Sequence, residues 1–98
     1  MNRQLTMLIV DDMEVERISF AEIFKDEYQI LEAENGKQAM EQLEQQKVHI
    51  VVLDLCMPVM DGFEVIREMK QQDKYADIPI VAKTAIDEKT EVKALEAG

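Results

Sequence analysis

Three aspartates, Asp11, Asp12 and Asp54, stand where short apolar runs stop. Asp11-Asp12 closes the run Thr6 to Val10, and Asp54 closes Val48 to Leu53, which is apolar except for His49. Thr84 follows a third run, Ile78 to Ala82, after Lys83. Short β-branched runs of this kind read as strands buried on both faces, as in a parallel sheet. All strand exits of a parallel sheet share one edge, so acids distant in sequence meet there, where open α/β sheets bind ligands. Two carboxylates about 4 Å apart repel by roughly 4 kcal/mol at an effective dielectric near 20. A shared proton or a hard divalent cation relieves that repulsion, and magnesium prefers such all-oxygen surroundings. A threonine hydroxyl on the same edge can hydrogen-bond a phosphoryl oxygen. Each residue also has a plainer role, since an Asp-Asp pair after a strand commonly supplies a helix N-cap and a turn, and Asp54 or Thr84 alone could serve a turn. Two acidic exits and a hydroxyl at a third make a joint pattern that those roles do not require.

The elements that must position these groups alternate along the chain. Met13 to Lys25 reads as a helix with Val15, Ile18, Ala21, Ile23 and Phe24 on a broad apolar face. Asp12 is its expected N-cap, with Glu14 and Glu16 suited to the positive end of the dipole. Gln29 to Glu34 alternates as a strand, Asn35-Gly36 breaks it, and Lys37 to Gln46 is helical with Ala39, Met40 and Leu43 inward. After Asp54, Pro58 and Asp61-Gly62 force an irregular loop. Phe63 to Gln72 is the next helix, with Phe63, Ile66 and Met69 on its stripe and Val65 flanking. Ile78 to Ala82 is a fourth strand, and Asp87 to Ala97 a charged helix closed by Gly98. Strand and helix alternating four times imply an α/β fold, a doubly wound parallel sheet with right-handed crossovers.

Ninety-eight residues at 47% apolar content make one small globular domain. A net charge of −10 argues against direct nucleic-acid contact or an anionic membrane as partner of this segment. The single cysteine, Cys56, permits no internal disulfide and suits a reducing cytoplasm, the expected location. No apolar run approaches membrane-spanning length. His49 reads as a satisfied strand residue, and the seven methionines mostly as core filler.

The Asp-Asp pair after Leu8-Ile9-Val10 combines with the block Val51 to Pro58, with Met60-Asp61-Gly62, and with Ile78-Pro79-Ile80-Val81 leading to Thr84-Ala85. In order and spacing, across essentially the whole chain, these resemble the receiver domain of bacterial two-component response regulators. The resemblance implies a flavodoxin-like sheet of strand order 2-1-3-4-5, known for chemotaxis receivers. It implies a phosphorylation-activated signalling switch in which Asp54 is the phosphoacceptor and becomes an acyl phosphate. Magnesium is then held by Asp54, by Asp12 directly, by Asp11 largely through water and by the backbone carbonyl of Cys56. Thr84 contacts the phosphoryl group, Pro58 and Gly62 shape the loop, and Ala85 leaves room above the site. The implied partners are a sensor histidine kinase or phosphotransfer protein and an output domain or downstream protein. Separately, the apolar strand Ile78 to Ala82 and the broad face of Met13 to Lys25 leave surfaces to be covered by more of a longer chain or by a second copy in a homodimer. Such a domain is a regulatory phosphoacceptor and not an enzyme beyond self-phosphorylation and self-dephosphorylation.

Two features depart from the family pattern. The sequence ends before the family's fifth strand, with its lysine, and fifth helix, so residues 1–98 are expected to be a receiver domain cut short at its C-terminal end. Lys83 stands where the family usually has an apolar residue, and strand alternation turns it away from Thr84. Two rival readings follow: a receiver-shaped interaction module that does not turn over phosphate, and an aspartyl-nucleophile phosphohydrolase. The second of these is disfavoured because haloacid dehalogenase-like enzymes place an acid where this chain has Cys56.

Overall fold

The run Leu5–Val10 forms strand β1, and its residues Thr6 to Val10 are all buried, as a central strand of a parallel sheet must be. The computed structural model describes residues 4–55 and 60–83. Along the chain β1 is followed by α1 (Glu14–Phe24), β2 (Tyr28–Ala33), α2 (Gly36–Gln45), β3 (Ile50–Asp54), α3 (Gly62–Gln71) and β4 (Ile80–Lys83). The helix expected over Asp87 to Ala97 lies outside the described residues. All strand pairings are parallel, and the order is β2-β1-β3-β4, the expected order as far as the described strands extend. Central β1 pairs Val10 with Ala33 on one side and with Leu53 on the other, while Asp54 stands opposite Lys83 of β4. Register therefore brings the ends of β1 and β3 level.

Side chains alternate between two faces of the sheet. Leu8, Val10, Val51, Leu53 and Ala82 point to one face, where Ala39 and Leu43 of α2 and Val65, Ile66 and Met69 of α3 close a continuous core. Met7, Ile9 and Val52 point to the other, under Phe20, Ala21 and Phe24 of α1. Phe20 stacks on Phe24 at 6.5 Å, and Tyr28 meets Phe24 edge-on at 6.1 Å.

Three local expectations are corrected. Asp12 does not cap α1: Met13 occupies that position without a side-chain cap, and Asp11 Oδ1 instead accepts from the Met13 N–H at 2.8 Å. The inward stripe of α1 is Arg17, Phe20, Ala21 and Phe24, at i, i+3, i+4 and i+7, so Val15, Ile18 and Ile23 stand exposed. On α3 the stripe is Gly62, Val65, Ile66 and Met69; Val65 is fully buried, while Phe63 is 39% exposed. The rotation of α3 follows from Gly62, where a Cβ would lie 2.5 Å from the Asp54 carbonyl oxygen. Only glycine lets the helix start that close to β3. Asp61 caps α3, its Oδ1 accepting from the Glu64 N–H at 2.9 Å, and Asn35 caps α2 in the same way through the Gln38 N–H.

At the opposite end of the sheet His49 is satisfied as expected, but it stands just before β3 and not within a strand. Its Nδ1 accepts from the Thr6 N–H at 3.0 Å, and its own N–H donates to the Thr6 carbonyl at 2.9 Å.

Candidate phosphoacceptor and metal site

Asp54 is the last residue of β3, anchored by Leu53 in the closed core, and is 7% exposed. Asp11 follows β1 directly and is 1% exposed; Asp12, next in the turn, is exposed. One carboxylate oxygen from each of the three lies within 4.8 Å of the others. Level strand ends and a short β1–α1 turn account for that convergence. Two buried carboxylates at such a distance repel by about 3–4 kcal/mol at an effective dielectric near 20. Two oxygens bound to one magnesium ion at 2.0–2.1 Å are at most about 4.2 Å apart. The donor set is thus all-oxygen, doubly buried and within a small closure, or one bridging water, of holding such an ion.

The turn carrying Asp11 is tied from several sides. Its N–H donates to the Ala33 carbonyl of β2 at 3.0 Å. Its side chain accepts from Met13 N–H, and its carbonyl accepts from Arg17 Nη1 at 2.8 Å. Arg17 Nε donates to Glu32 Oε1 of β2, also at 2.8 Å. On the β3 side, the loop after Asp54 closes through Gly62 N–H donating to the Leu55 carbonyl at 3.3 Å. Gly36 N–H, at the start of α2, donates to the Met60 carbonyl of that loop at 3.1 Å, and a Cβ on Gly36 would meet the same oxygen at 2.5 Å.

The family model for the response regulator receiver domain matches residues 7–98. This chain belongs to that family. A chemotaxis protein CheY of Halobacterium salinarum is 38% identical over 93 residues, covering 94% of this chain and 77% of that protein. A response regulator of Streptococcus pneumoniae is 33% identical over 87 residues, 88% of this chain, of which the chain spans only 39%. Among solved structures, the receiver domain of a sensor histidine kinase from Pseudomonas aeruginosa superposes with a TM-score of 0.86 at 26% identity, covering 98% of this chain and 80% of that one. That receiver carries a magnesium ion coordinated in its active-site cleft. The fold is accordingly the flavodoxin-like receiver fold, a regulatory domain of two-component signalling.

Of the site residues expected in this receiver domain, Asp11, Asp12 and Asp54 come together. Cys56 and Thr84, with Pro58 and Ala85, lie outside the described residues. Sequence reading missed two contributors. Arg17 sits on the buried stripe of α1, where an apolar count passes over a charged residue; its i+3, i+4 and i+7 spacing to Phe20, Ala21 and Phe24 was the available signal. Gly36 was read as a strand breaker, whereas its hydrogen-bonded approach to Met60 ties α2 to the loop after Asp54. Among the described residues, no helix is long and apolar enough to cross a membrane.

Proposed function

We propose that this receiver domain is a phosphorylation-activated switch whose phosphoacceptor is Asp54, working with magnesium held by Asp11, Asp12, Asp54 and the carbonyl of Cys56. The observation that carries the reading is the convergence of three carboxylates within 4.8 Å at the exits of β1 and β3, in a chain of this family. Repulsion on that scale is retained where a cation or an incoming charged group needs it. When bound, magnesium supplies charge neutralisation for the acids and for the phosphoryl oxygens.

The chain's own part is positioning. Asp54, fixed by the buried strand below it, presents a carboxylate oxygen to phosphorus. A new O–P bond forms as the bond from phosphorus to the donor breaks, and the bonding electrons leave with the donor. With a phosphohistidine donor, from a histidine kinase or a phosphotransfer protein, the leaving group is the imidazole nitrogen, which takes up a proton. Thr84 hydrogen-bonds the transferred group. Hydrolysis of the acyl phosphate by water returns the carboxylate, so the domain's own chemistry is limited to self-phosphorylation and self-dephosphorylation. The output domain or downstream partner reads the two states in the cytoplasm.

The test uses acetyl phosphate, a small-molecule donor, with and without magnesium, and intact mass as readout. The switch reading predicts one phosphoryl group per chain, dependent on magnesium. No labelling under either condition leaves the pure interaction module, and broad turnover of phosphate esters would support the phosphohydrolase. In parallel, magnesium should raise the melting temperature, because a ligand bound only by the native state stabilises it by mass action. Asp12→Ala should remove most of that rise.

A further inference from the structure

Arg17 is 7% exposed, on a helix stripe whose other members are Phe20, Ala21 and Phe24. A buried guanidinium is costly to desolvate, and packing alone is served as well or better by an apolar side chain of similar volume. Its hydrogen bonds say what it adds. Nε donates to Glu32 Oε1 and Nη1 to the Asp11 carbonyl, both at 2.8 Å, so the planar fork spans from β2 to the turn that carries two of the three acids. Asp11 N–H is bound to Ala33 and Asp11 Oδ1 to Met13 N–H. The arginine thus holds the one remaining main-chain group of Asp11, and it does so from the helix whose start the same turn must set.

We propose that Arg17 is a positioning residue for the divalent-cation site, clamping the Asp11 carbonyl to Glu32 so that the Asp11–Asp12 turn keeps the spacing at which its carboxylates share a cation with Asp54. This rests on the reading of the acid cluster as a magnesium site. Outer contacts of this kind typically change metal affinity 10–100-fold. The sign of the effect separates positioning from mere charge. A cation bound to the turn that carries two of the acids opposes magnesium by simple electrostatics, so deleting it should tighten binding. Loss of the clamp should weaken binding. Lysine keeps the charge but, as a point donor, cannot reproduce the two-pronged contact.

The experiment measures magnesium affinity by isothermal titration calorimetry on the 98-residue chain, for the parent, Arg17→Met, Arg17→Lys and Glu32→Gln, with far-ultraviolet circular dichroism of each variant in chelator. The expected result is a roughly 10-fold or greater loss for Arg17→Met, with an intermediate loss for Arg17→Lys and the smallest for Glu32→Gln, whose amide oxygen still accepts from Nε. Unchanged or tighter binding by a folded Arg17→Met would overturn the proposal. Should Arg17→Met fail to fold, Arg17→Lys decides: weakened binding supports the clamp, and parent-like binding overturns it. A parent protein that binds no magnesium is a different outcome, which defeats the metal reading itself and the clamp with it.

Discussion

The two faces of the sheet are built differently, and the turn into α1 beside the acid site carries polar ties that the closed face does not need. Under α2 and α3, the side chains of β1, β3 and β4 meet a continuous buried core that includes Leu8, Leu53, Val65 and Met69. Under α1, Met7, Ile9 and Val52 are buried, but the helix residues over them are only partly so, and Val15 at 76% exposure points to solvent. Asp54 and Asp11 each follow a residue of the closed core, Leu53 and Val10. The Asp11–Asp12 turn, which leads into α1, is further held by a hydrogen bond to the Ala33 carbonyl and by hydrogen bonds from Met13 and Arg17. Packing fixes a position without regard to charge, whereas a polar brace is sensitive to the charges placed beside it. The metal-turn half of the site thus carries polar ties in addition to its apolar footing.

The largest expected effect tests that contrast through stability. Leu8→Ala, in the closed core, should cost about 3–5 kcal/mol in urea unfolding, as a fully buried leucine does when it leaves a cavity. Phe24→Ala, on the α1 side, removes a larger side chain but one already partly exposed, and should cost only about 1–2 kcal/mol. Equal losses would mean that the α1 face is as tightly packed as the other. A smaller effect is expected where α2 meets the site loop. Gly36→Ala forces a Cβ against the Met60 carbonyl and weakens the Gly36 N–H bond to it, which should cost about 1–3 kcal/mol. Parent-like stability of that variant would show that the loop after Asp54 yields freely.

The same contrast explains what could be read from the sequence. Buried parallel strands announce themselves through runs such as Val51-Val52-Leu53, so alternation and the meeting of Asp11, Asp12 and Asp54 were legible. On α2, Ala39 and Leu43 proved inward as their spacing implied. The α1 face was misread because its buried stripe contains an arginine, while Val15, Ile18 and Ile23 are apolar yet exposed. Hydrophobicity counts residues, and here the inward position was chosen by the hydrogen bonds Arg17 makes to Glu32 and Asp11. Val65 and Phe63 exchanged roles because a backbone contact at Gly62 sets the rotation of α3, and such contacts leave little trace in periodicity. Asp12 looked like a cap, but Asp11 closes the turn through Met13, which leaves the Asp12 carboxylate to the acid cluster.

The smallest expected change to the fold accompanies the largest expected change to function. Asp54→Asn keeps shape and removes one of the mutually repelling charges, so stability without magnesium should stay within about 1 kcal/mol of the parent or rise. An amide is not a competent nucleophile toward phosphorus. The decisive measurement is intact mass after treatment with acetyl phosphate and magnesium, for the parent and Asp54→Asn side by side. The account predicts a single phosphoryl adduct on the parent and none on the folded variant. Full labelling of Asp54→Asn would contradict it, because the acceptor would then lie elsewhere in the chain.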